Sequence, residues 1–149
     1  MLGNLNDKQI DFLLHSQVIG RLGCYADNKI YIVPVTYVYD GKHIICHSRE
    51  GMKIDMMRKN PEVCFETDVM ENMANWQSVI LWGIFKELKG NEAKIAMDKL
   101  IDRVRPMLTS ETAHPHEPGE SHDRRDNSGF TAIIFQIEVK QKTGRFEKR

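Results

Sequence analysis

Between an apolar run, Ile44-Ile45-Cys46, and a helically spaced set, Ile54, Met57 and Arg58, the chain carries His47-Ser48-Arg49-Glu50-Gly51-Met52-Lys53. A strand that delivers a hydroxyl, a glycine and a lysine to the first turn of a helix makes an anion pocket. The opening backbone N–H groups of a helix lack intrahelical acceptors, the macrodipole is positive there, and Lys53 adds a full charge. A phosphate-bearing ligand suits that arrangement. The competing reading is a plain helix N-cap by Ser48 beside a solvated lysine. A second grouping, His114, His116, Glu117 and His122, offers donors for a transition metal. Its spacing matches no standard ligand set, and Arg124, Arg125 and several acids share the segment. A solvated lid is the preferred reading there, with no metal.

These residues need elements to hold them. Asn6, with Gln9 three positions on, forms a capping-box pattern that opens a helix ending near His15, with Ile10, Leu13 and Leu14 on its buried side. Residues 18–26 read as a strand broken by Gly20 and Gly23, followed by an Asp27-Asn28 turn. Residues 30–39 alternate well but are apolar on both faces, which predicts a strand buried on both sides. Pro34 within it demands an edge position or a bulge, because it cannot donate to a ladder. Asp40-Gly41 signals a hairpin into residues 43–47. After a helix stopped by Asn60-Pro61, residues 63–69 and 76–88 read as strands joined by a polar connection. Trp76 and Trp82 fall on one side of the second strand and are expected to pack in the core.

A helix over 91–104 shows Ile95, Leu100, Ile101 and Val104 on one side and stops before Pro106. Residues 107–128 have no period and form a long loop. Residues 130–142 alternate as a last strand. The chain is thus expected to be one domain over residues 1–149, mainly β with short helices. Six or seven antiparallel strands would close into a small barrel, with Gly20, Gly23 and Gly83 as its bends.

Lys+Arg and Asp+Glu number 21 each in 149 residues, so no net field attracts nucleic acid or an anionic membrane. The uncharged run 72–85 is polar in part and too short to span a bilayer. The opening residues lack a secretory pattern. Cys24, Cys46 and Cys64 form no C-x-x-C pair, and each sits in an apolar run. Buried, reduced thiols in a cytoplasmic protein are expected.

Taken in order, these segments resemble the FMN-binding split-barrel family related to pyridoxamine 5′-phosphate oxidase, most closely its nitroimidazole-resistance (Nim) branch. The likeness runs through Ile32-Val33-Pro34-Val35-Thr36-Tyr37, His47-Ser48-x-x-Gly51-x-Lys53-Ile54-Asp55, and Asn60-Pro61-Glu62-Val63-Cys64-Phe65. It continues in Trp76-Gln77-Ser78-Val79-Ile80-Leu81-Trp82-Gly83 and closes on Lys142-Thr143-Gly144-Arg145. The resemblance implies a homodimer with FMN at the subunit interface. Pro34, Val35, Thr36 and Tyr37 match the strand along the isoalloxazine ring, and Ser48 and Lys53 match phosphate contacts. Gln77, Ser78 and Val79 match the segment that reaches the flavin across the dimer, and Arg145 lies near a C-terminal basic contact. His47 resembles a histidine of the Nim branch close to the flavin cavity. There it would orient substrate or relay a proton, since imidazole titrates near neutral pH.

Met52 departs from the pattern: it stands where the vitamin-processing oxidases are often basic, and no arginine-rich clamp is visible. The expected activity is therefore oxidoreduction of a small aromatic or nitro-type molecule. The alternative is a non-catalytic flavin- or haem-binding module on the same barrel.

Overall fold

The computed structural model describes residues 1–107 and 132–149, so the histidine grouping at 114–122 and most of the long loop lie outside the described residues. Helix α1 (Asp7–Ser16) opens on the expected capping box. The Gln9 backbone N–H donates to Asn6 Oδ1 (2.9 Å), and the Asn6 N–H donates to Gln9 Oε1 (2.8 Å). At its other end Arg103 donates to the carbonyls of His15 and Ser16 (3.2 and 3.1 Å), acceptors that helix geometry leaves unmet.

The described residues form eight antiparallel strands: β1 (Leu2–Asn4), β2 (Ile19–Ala26), β3 (Lys29–Thr36), β4 (Val38–Tyr39), β5 (His43–Ser48), β6 (Glu62–Asn72), β7 (Asn75–Leu88) and β8 (Ile133–Glu147). Their order is β3-β2-β6-β7-β8-β5-β4, with β1 pairing β8. Among the described residues no ladder joins the β3 edge to the β4 edge, so the barrel is split between them. The expected antiparallel split barrel is what forms. The count exceeds six or seven because β1 and β4 are too short to show a period. Two left-handed residues, Asp27 (φ +52°) and Asn28 (φ +62°), make the tight turn from β2 to β3. The polar stretch expected as a connection before Trp76 instead continues β6 and β7 into their hairpin.

Two helices complete the fold, α2 (Met52–Lys59) and α3 (Gly90–Val104), the latter running into a 3-10 turn, Arg105–Met107. The barrel interior holds Leu22, Tyr37, Ile44, Cys46, Phe65, Leu81, Phe135 and Ile137, with Leu13 and Leu14 of α1 and Ile54 and Met57 of α2. A second cluster, Ile45, Leu88, Ala93, Ala96 and Ile134, seats α3 on the outside of the sheet. Ile95, expected on the buried side of α3, faces solvent; the small Ala93 and Ala96 take that position.

Residues 30–39 do not form one doubly buried strand. The ladder breaks at Tyr37, whose N–H donates to the Val18 carbonyl (2.9 Å). On β3, Ile30 and Ile32 remain 76% and 68% exposed. The strand lies at the sheet edge, as Pro34 requires, and only its inner side, with Val35, meets the core. Cys64, expected buried, is exposed on the same outer surface, in register with Gly23 and Trp82. Trp82 is 42% exposed and Trp76 is half-buried, its Nε1–H donating to Glu147 (3.3 Å). Both tryptophans thus lie on one side, as their spacing requires, but outside the core.

The glycines expected as bends allow close approach. A Cβ on Gly20 would lie 2.1 Å from the Phe65 ring, and one on Gly83 would lie 2.3 Å from the Glu138 carbonyl oxygen. Gly83 sits where the β7–β8 register slips.

Candidate functional site

Gly51 occupies the N-cap position of α2 and supplies no side-chain cap. Ser48 does not cap the helix either: its hydroxyl donates to the Arg49 carbonyl (2.9 Å). The plain N-cap reading is thereby corrected, and among the described residues no side chain caps the start of α2. The turn before the helix is held by Arg58. Its guanidinium donates twice to Glu87 of β7 (3.2 and 2.9 Å) and twice to Glu50 (both 2.9 Å), and these carboxylates hold it firmly in its charged form.

Lys53 is half-buried and forms no ion pair among the described residues. Its positive charge reaches inward to two thiols: burial pushes Cys46 up to about 12 and also raises Cys24, and Lys53 opposes both shifts. A Cβ built on Gly51 would meet no atom of the described residues within 4 Å, so they leave room at the N-cap. Among the described residues, an uncapped helix start and an ammonium without a carboxylate, with the Ser48 hydroxyl in the segment leading into the helix, fit a phosphate monoester.

The other expected site residues divide by face, because side chains alternate along a strand. On β5, Cys46 points into the barrel core, so Ser48 follows it toward the α2 side. Ile45 belongs to the cluster under α3, and His47 follows that side, opposite Ile134 in register. His47 and Ser48 therefore face opposite ways.

Val35, Tyr37 and Val79 are core residues. The Tyr37 hydroxyl donates to the Leu14 carbonyl (2.7 Å), its ring meets Phe65 edge-on at 4.8 Å, and burial pushes the phenol up to about 12. These three residues can offer a ligand only their backbone. Gln77 is half-buried, opposite Val69 and Phe146.

Pro34 and Thr36 are exposed on the outer face of the sheet. Ser78 lies on that face too, directly opposite Asp68 on one side and Arg145 on the other. The fold thus gathers Ser48 and Lys53 at α2, and Pro34, Thr36, Ser78 and Arg145 on the outer sheet face.

That face also carries a group that the sequence reading passed over. Arg21 Nη1 lies 3.8 Å from Glu66 Oε1 and 3.6 Å from Asp68 Oδ2. Glu66 Oε1 is buried and has no hydrogen-bond partner among the described residues. Burial, and then Asp68 beside it, push the Glu66 carboxyl up to about 7 against the weaker pull of Arg21. The signal available in the sequence was the i, i+2 spacing of two acids on a strand. A cavity of about 470 Å³ lined by Tyr39, Lys42, His43, Lys140 and Lys142 shares none of these residues.

The sequence profile of the pyridoxamine 5′-phosphate oxidase family matches residues 6–133. An uncharacterized protein of Rhizobium meliloti (strain 1021) is 38% identical over 130 residues, covering 85% of this chain and 83% of its own. Among solved structures, a FAD-binding protein of Mesorhizobium loti superposes with a TM-score of 0.78 at 26% identity, covering 99% of each chain. A Bacteroides thetaiotaomicron protein provisionally described as a 5-nitroimidazole antibiotic resistance protein gives 0.72 at 16% identity, over 98% of this chain and 87% of its own. The FAD and heme binding protein of Mycobacterium smegmatis gives 0.72 at 12%, over 99% and 74%.

Proposed function

Because the chain belongs to the pyridoxamine 5′-phosphate oxidase family, we propose that it is an FMN-binding flavoprotein, a homodimer holding the flavin at the subunit interface, and an oxidoreductase for a small aromatic or nitro-type molecule. The observation that carries this reading is Lys53, a half-buried ammonium with no carboxylate partner among the described residues, in the first turn of an uncapped helix. Lys53, the α2 N–H groups and the Ser48 hydroxyl would hold the phosphate. Backbone groups of Pro34, Val35, Thr36 and Tyr37 would meet the polar edge of the ring. Gln77, Ser78, Val79 and Arg145 are assigned to the flavin across the dimer, which agrees with the outward setting of Ser78 and Arg145.

When bound, FMN supplies hydride or electron transfer through its isoalloxazine ring. His47, on the other side of β5 from Ser48, is assigned to orienting the substrate or moving a proton, and not to the phosphate. Met52 in place of a cation, together with the missing arginine clamp, weighs against a substrate that itself carries phosphate. No helix in the described residues is long and apolar enough to cross a membrane.

Purified protein should show flavin absorption near neutral pH, and mass analysis of the material released on denaturation should give FMN. Lys53→Ala should lower FMN affinity by at least tenfold while the far-UV spectrum stays unchanged. Unaltered FMN affinity in Lys53→Ala would falsify the phosphate assignment. A Soret band in place of flavin absorption would replace the cofactor.

A further inference from the structure

Strand register sets Pro34, Arg21, Glu66, Ile80 and Thr143 in one row across the outer face. The neighbouring row runs Ile32, Gly23, Cys64, Trp82. Exposed apolar side chains share this face with the acid pair: Ile19, Ile32, Ile80 and Trp82 in its row or the rows beside it, and Tyr25 and Ile30 farther along β2 and β3. Together they leave on the order of 600 Å² of side chain uncovered, at the upper end of what monomers expose and most of the about 800 Å² per partner of a standard interface. The chain has no net charge, so two copies do not repel.

Within this face Glu66 and Asp68 stand side by side with one cation, Arg21, too far from either for a hydrogen bond. Two carboxyl groups in contact can bond to one another only by sharing a proton. Among the described residues the face offers Glu66 no other strong compensation. Beside it on β7 are Ile80 and Ser78, on β6 Cys64, and beyond Arg21 on β3 Pro34 and Thr36. Arg145 lies past Ser78, on β8. Covering the pair while both acids are ionised would bury an excess negative charge in each copy.

We infer that the outer face of β2, β3, β6 and β7 receives a second copy of this chain, and that Glu66 and Asp68 enter the contact holding one shared proton, so association takes up protons. This rests on the homodimer reading above and adds its regulation. A carboxyl whose affinity for protons is raised is protonated at low pH and loses the proton as pH climbs through about 7. Dimers are therefore tight at pH 6 and loosen above pH 7.

The test is the dissociation constant of the full chain by analytical ultracentrifugation from pH 6 to pH 8.5. We expect it to rise tenfold or more over that range. Glu66→Gln, which needs no shared proton, should associate at pH 8.5 about as tightly as the parent does at pH 6. Asp68→Asn should do the same if Glu66→Gln folds poorly by circular dichroism. A chain monomeric at every pH overturns the homodimer reading itself. A dimer whose constant is flat with pH and unmoved by Glu66→Gln overturns the shared proton and leaves the homodimer standing. Association that tightens as pH rises overturns it too, and makes a cation the neutralising group.

Discussion

The Tyr37 hydroxyl meets the Leu14 carbonyl deep in the core, near the end of α1, where helix geometry supplies no donor. Its side chain therefore belongs to the fold, and only its backbone to a ligand at the split. Tyr37→Phe should cost about 1 kcal/mol, because a buried acceptor loses its partner, and should leave FMN affinity within about twofold. Urea denaturation and a flavin titration on the same sample check both halves. A tenfold loss of affinity at unchanged stability would mean that the hydroxyl serves the ligand instead. The lysine, glycine and serine of the proposed phosphate site could be grouped from sequence because they lie in one short strand–turn–helix segment. The Glu66–Asp68–Arg21 group was not, since Arg21 comes from a distant strand and only the ladder register brings it there. For the same reason Arg58 read as one more helical residue, and not as the clamp between Glu50 and Glu87.

At the scale of elements, two glycines that look alike in sequence do opposite things. Gly20 lets β2 pass against Phe65 and the Glu66 backbone; an added Cβ would sit 2.1 Å from the ring and 2.8 Å from the carbonyl oxygen. Because backbone cannot yield as a flexible side chain does, Gly20→Ala should destabilise by about 3 kcal/mol. Gly51 has extended backbone (φ 171°) and open space around it, so Gly51→Ala should change stability by less than about 0.5 kcal/mol. The new methyl would nevertheless stand in the proposed phosphate pocket, and FMN affinity should fall several-fold. Thermal melts of both variants, with a flavin titration of Gly51→Ala, separate packing from binding. Strand positions were readable from period-two alternation, but exposure was not. Residues 30–39 are apolar on both faces, a pattern shared by a strand buried on both sides and an edge strand with an uncovered outer face. Trp82 and Cys64 were misplaced into the core by the same ambiguity.

The whole molecule is an unclosed barrel whose two edge strands, β3 and β4, are joined through Tyr37, with α2 packed on β2 and its Ile54 and Met57 in the core. The strand set was readable from alternation and the split barrel from the family resemblance, whereas the identity of the two edge strands depends on ladder pairings that periodicity does not carry. The proposed flavin contacts come from elements far apart in the sheet order, β3 at one edge and the turn after β5 near the other. A ligand bridging them stabilises the folded chain by mass action, about 2.7 kcal/mol at a hundredfold excess over Kd. For a domain of this size that corresponds to a rise in Tm of roughly 6–10 °C. A homodimer adds a second dependence, since Tm then increases with protein concentration even without added flavin. Calorimetry of flavin-depleted protein across FMN and protein concentrations should therefore show two separable slopes. Lys53→Ala should flatten the FMN slope alone, and Ile32→Glu, which places a charge on the uncovered face, should flatten the protein-concentration slope. If both slopes vanish in Ile32→Glu, the flavin is held only by the assembled pair, as a site shared between subunits requires. If Tm in the parent chain responds to neither variable, the opening in the barrel serves neither flavin nor a second copy.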